Sequence, residues 1–122
     1  MNEISYILIG QCRDGIWYGR LRRRQVGSPA SVEFDWAWVM AREERYGDVA
    51  GFFHTHPRGL ATPSERDLRT MRAWVSCFGK PLLCLIDSGD RLSAYLFQTD
   101  EDDGRPVARV ERFPRNAIVA VE

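Results

Sequence analysis

The two histidines of this 122-residue chain stand two apart, at His54 and His56. On a strand, residues i and i+2 point to the same side, so two imidazoles there face one way and offer a pair of nitrogen ligands for zinc. Two surface histidines at a strand end would share that spacing. Seven residues separate His56 from Ser64, and Asp67 stands three further on. Ser-x-x-Asp at a helix start has a structural reading of its own, with Ser64 as N-cap and Asp67 reaching back from N3. Yet Asp67, Met71, Trp74 and Phe78 recur at i, i+4, i+7 and i+11, which puts Asp67 on an inward apolar stripe. A carboxylate aimed inward needs a partner, because an unpaired buried charge is costly. A zinc ion held by the two histidines would be such a partner. Ser64 can cap the helix while its hydroxyl faces the site.

Three protein ligands leave a fourth position for water, the pattern of catalytic rather than structural zinc. Zinc lowers the pKa of that water toward ~7 and polarises a carbonyl. Hydrolysis then needs a general base nearby, and residue type alone offers Glu3, Glu33, Glu43 and Glu44.

The elements that must position these residues follow from hydropathy and turn signals. Residues 5–11 form an apolar run that ends before Asp14-Gly15, a hairpin turn signal, and 15–21 form the return strand. Residues 25–31 are expected as a loop marked by Gly27, Ser28 and Pro29. Helical spacing of Trp36, Val39, Met40 and Glu43 predicts a helix over 35–46, capped by Gly47. Residues 48–53 are apolar on both faces, a buried strand that can run on into the histidines. After a loop over 57–63, a second helix starts at Ser64, reaches Phe78 and stops at Gly79. Two more strands are expected at 81–87 and 92–97, joined by the tight turn Ser88-Gly89-Asp90. A polar, acidic and mobile loop over 100–106 follows, then an edge strand over 107–113 and a last short strand over 117–121. This order of strands, helix, strand, helix, strands predicts an α/β or α+β fold, a mixed β-sheet flanked by helices.

Length fits one domain spanning residues 1–122. Seventeen basic and seventeen acidic residues cancel to a formal charge of zero, whereas a nucleic-acid binder is usually basic overall. The one basic run, Arg20-Leu21-Arg22-Arg23-Arg24, reads as a solvated hairpin end; the sharper reading is a patch for an acidic partner. Cys77 and Cys84 lie in apolar stretches and, with Cys12, read as reduced core thiols of a cytosolic protein. No window approaches the ~18 apolar residues of a membrane span. Glu3 stands where a signal peptide would carry positive charge, so a cytoplasmic location is expected. Trp17, Trp36, Trp38 and Trp74 read as core, with the lining of an apolar pocket as the alternative.

The string His54-x-His56-Pro57 with Ser64-x-x-Asp67 resembles the JAMM motif of the MPN (JAB1/Mov34/PAD-1) metalloprotease family, in a compact prokaryotic form. Gly51-Phe52-Phe53 is similar to the strand that leads into the family's histidines. Glu3, Leu8 and Gly10 fit the family's E-x-x-G-x-L-x-G pattern, with Tyr6 where a glycine is common. The resemblance implies a cytidine-deaminase-like fold and one zinc ion held by His54, His56 and Asp67. It implies that Glu3 moves the proton of the zinc-activated water to the leaving amine, and that Ser64 stabilises the oxyanion. Family members usually carry a helix before the first strand, whereas only Met1 and Asn2 precede Glu3 here, so the base would sit on an end that tends to be mobile; Glu33 is the next candidate, because it lies in a loop that could approach the site. The implied activity is an isopeptidase or peptidase cutting after the C-terminal glycine of ubiquitin or a ubiquitin-like or sulfur-carrier protein. E1-like and E2-like proteins of the same gene cluster are the implied partners. A non-catalytic scaffold of the same fold and a small-amide metallohydrolase are the alternatives.

Overall fold

The structure, a computed structural model, describes residues 3–13, 16–27, 34–98, 108–112 and 117–121. In chain order the elements are β1 (Glu3–Arg13), β2 (Ile16–Gly27), α1 (Trp36–Tyr46), β3 (Val49–Thr55), α2 (Glu65–Phe78), β4 (Leu82–Asp87), β5 (Leu92–Phe97), β6 (Ala108–Arg112) and β7 (Ala117–Val121). The sheet is mixed. β3 and β4 run parallel, joined by a crossover through α2, as a parallel pair requires. All other neighbours are antiparallel. The order β1-β2-β7-β6-β5-β4-β3 closes on itself, because β3 also pairs with β1.

Strand alternation sorts the apolar side chains into two groups. Ile7, Ile9, Val49, Phe52, Leu82, Cys84 and Ile86 face the helices and pack with Val39 of α1 and Met71, Trp74 and Val75 of α2. Leu8, Ala50, Leu83, Leu85 and Ala94 turn the other way and fill the barrel. Both helices have the ends that local signals predict. Asp35 caps α1 through Trp38 N–H at 3.1 Å, and Gly47 ends it in the left-handed region. Ser64 caps α2, and Gly79 ends it in the same way.

Several expectations are corrected. β2 runs on to Gly27, where local residues suggested a loop from 25, because β1 pairs with it as far as Glu3↔Gly27. The arginine run therefore sits in the middle of a strand, not at a hairpin end. One expectation is met: β3 runs on into the histidines, through His54 to Thr55. β6 is flanked by β5 and β7 and so is not an edge. Cys77 is exposed, and only Cys84 is a core thiol. Of the tryptophans, Trp74 is core, Trp38 packs against the core, and Trp36 is 41% exposed. The Asp14-Gly15 turn, the 100–106 loop, Glu33 and the side chain of Trp17 lie outside the described residues. Among the described residues no helix is long and apolar enough to cross a membrane.

Candidate metal centre

β3 brings both histidines to the same side. His54 is in the sheet, between Ser5 of β1 and Ile86 of β4. His56 is just past the strand end, held by its backbone N–H on Asp87 O at 2.8 Å. The two rings stand edge to face with centroids 4.5 Å apart. Asp67 arrives from the first turn of α2 and is 3% exposed. Its Oδ1 lies 2.8 Å from His54 Nε2 and its Oδ2 lies 3.2 Å from His56 Nε2.

The capping box and the inward carboxylate are one arrangement. Asp67 N–H donates to Ser64 Oγ at 3.1 Å, and Ser64 N–H donates back to Asp67 Oδ2 at 2.8 Å. The cap thus orients the carboxylate toward the histidines, at the positive end of the helix dipole. His56 is oriented on its far side. Its Nδ1 lies 2.9 Å from Leu60 O; a carbonyl only accepts, so Nδ1 carries a proton and Nε2 is the ring nitrogen turned to the site.

These donors suit a metal ion. One ligand atom from each of His54, His56 and Asp67 can be chosen so that all lie within 4.8 Å of one another. Ligands about 2.1 Å from a tetrahedral ion stand about 3.4 Å apart, close to the 3.2 Å between Asp67 Oδ2 and His56 Nε2. His54 Nε2 is buried and has no aligned hydrogen bond, although Asp67 Oδ1 is at hydrogen-bond length. A buried nitrogen beside a carboxylate but not bonded to it is a vacancy in hydrogen bonding that a cation satisfies.

The electrostatics agree. Burial works to raise the pKa of Asp67, but the two imidazoles of His54 and His56 close against it, with the Ser64 N–H, outweigh it and hold the carboxyl well below the usual range. For His56, burial lowers the pKa, and the Asp67 carboxylate, the Leu60 carbonyl and the Glu3 charge more than reverse it. The corner is built to hold positive charge. Cys84 is no rival ligand: burial first, and the Asp67 charge second, push its pKa well up and keep it a neutral thiol.

The group opens into a cleft of about 640 Å3 whose lining includes Glu3, Phe34, Leu60, Ser64 and Arg66. Glu3 Oε2 is 3.9 Å from His54 Nδ1. Strand pairing holds Glu3 opposite Gly27, and Ile4 N–H donates to Thr55 Oγ1 at 2.9 Å. Ser64 is exposed at the mouth. The other two described candidates for the base stand elsewhere. Glu43 accepts from Val49 N–H and Lys80 Nζ, and Glu44 is exposed on α1.

Matching residues 2–107, a family model of prokaryotic homologs of the JAB domain covers most of the chain. The chain belongs to this family. No curated protein matches it. The His54-His56-Asp67 group of this JAB domain fits the JAMM motif, and the mixed sheet with its two helices agrees with the family's fold.

Three supporting residues carry no signal in the sequence. Phe34 packs edge-on to His54, with centroids 6.5 Å apart. Leu60 acts through its carbonyl, which every residue has. Tyr95 Oη donates to Ala61 O at 2.7 Å and ties down the loop between the histidines and Ser64. Thr55 had a faint signal: in H-T-H its side chain must point away from the imidazoles, toward β1.

Proposed function

We propose that this JAB domain is a zinc peptidase that cuts after the C-terminal glycine of a ubiquitin-like or sulfur-carrier protein, to process a precursor or release a conjugate. Family membership and the His54-His56-Asp67 group together support a metal-dependent hydrolase. The observation that carries the reading is that Glu3 and Ser64 line the same cleft as that group. Zinc held there supplies a Lewis acid for the scissile carbonyl and an acidified water. Glu3 accepts the water's proton and returns it to the leaving amine. Ser64 Oγ already accepts from Asp67 N–H, so its own O–H is left to donate to the oxyanion. The glycine-terminated substrate and the E1-like and E2-like partners rest on the family resemblance, and a cytoplasmic setting on the cysteines and the acidic residue near the N-terminus.

Incubation with glycine-terminated ubiquitin-like fusions tests this. Cleavage at the glycine, stopped by a chelator and restored by zinc, is the expected result. Failure to cut any such fusion, with zinc present at one per chain, would refute the substrate assignment.

A further inference from the structure

β2 outruns one of its neighbours. β7 pairs with it only at Ile16, Trp17 and Tyr18, while β1 accompanies it as far as Gly27. Over residues 19–27, one edge of β2 has no strand beside it among the described residues. The same stretch carries Arg20, Arg22, Arg23 and Arg24, all exposed.

Arg23 already has a structural role. Its backbone is left-handed, with φ 56, at the bulge where the β1–β2 register shifts. Its Nε and Nη2 donate to Asp35 Oδ2 at 3.2 and 2.6 Å. Arg20, Arg22 and Arg24 have no acidic partner among the described residues; Arg22 only reaches the Leu21 carbonyl next to it. Tyr18 and Val26, 46% and 52% exposed, bracket them. In a chain of zero formal charge, this edge is a local excess of cations with no neutralising partner among the described residues.

Two features of the edge select the same occupant. Open backbone N–H and C=O groups are satisfied by another extended polypeptide, whereas a nucleic acid has no matching ladder to offer. Like charge repels a second copy of the edge, and that charge attracts a strand bearing Asp or Glu across from the arginines. Arg20 and Arg22 share a face and are about 6.6 Å apart along the strand, the spacing of alternate residues in an added strand. We propose that residues 19–27 of β2 bind an extended acidic segment of a partner protein by strand addition. None of the arginines of this run lines the metal cleft, so the binding does not depend on hydrolysis.

Fluorescence anisotropy with labelled peptides of about ten residues, enough to span the edge at about 3.3 Å per residue, provides the test. A peptide alternating Glu and Thr should bind about tenfold or more tighter than its Gln or Lys counterparts, and should weaken between about 50 mM and about 500 mM salt. Amide exchange in β2 should slow on binding. R20E/R22E/R24E should lose the preference, and R20K/R22K/R24K should keep it. The peptide charge series on the unaltered protein decides the question even if the reversed variant does not fold. Equal binding of the Glu and Gln peptides would overturn the proposal. So would tighter binding of an oligothymidylate of matched charge, or binding that leaves β2 amide exchange unchanged.

Discussion

His54 and Glu3 approach to 3.9 Å, yet they are held in different ways. His54 lies inside the sheet with a strand on either side, and its neighbour Asp67 is locked by the capping box of α2. Glu3 is the first residue of β1, at the rim of the cleft. The ligand corner is fixed by several independent contacts at once. The rim is fixed by strand pairing at Gly27 and by the Ile4–Thr55 hydrogen bond. That difference suits the two proposed tasks, since a ligand must stay in place while a base must meet water and substrate.

The harshest way to break the comparison is to remove the frame that both regions share. Gly51 has φ +143, and an added Cβ would stand 1.8 Å from Leu83 O, at the parallel β3–β4 contact. Gly51→Ala should cost about 3 kcal/mol or more, visible as a lower urea midpoint, with both regions lost together. Glu3→Gln separates them. Turnover should fall about a hundredfold or more, while metal content and urea midpoint match the wild type; normal turnover would move the base elsewhere. Tyr95→Phe is gentler and touches the corner from behind. It removes the hydrogen bond to Ala61 O, at about 1 kcal/mol. Competition against a chromophoric chelator should show metal affinity reduced a few-fold, because the loop carrying the Leu60 carbonyl to His56 is loosened.

The same contrast explains what was legible from residues alone. Asp67 declared itself because its place on the apolar stripe of α2 and its capping position are both local facts. The caps at Gly47, Ser64 and Gly79 were equally local, and the helices came out within a residue of their true ends. Glu3 has no such structural signature, and only the family pattern singled it out. Gly10, part of that pattern, has a packing reason: a Cβ there would stand 1.8 Å from Tyr18 O on β2. Long-range pairing was the chief thing hidden. Gly27 looked like a loop residue until β1 paired with it, and barrel closure depends on contacts between residues 16–18 and 117–119 that no local signal announces. Cys77 was misjudged for another reason. Its neighbours are apolar, but it lies off the stripe of Met71, Trp74 and Phe78, and face outranks neighbourhood on a helix.

Metal content tests the central claim most directly. Purified wild-type chain and Glu3→Gln, loaded with zinc and dialysed, should each retain about one ion per chain by elemental analysis, and a folded H54A/H56A variant should retain none. A folded wild-type chain that holds no zinc, or a double variant that still holds one, would contradict the account.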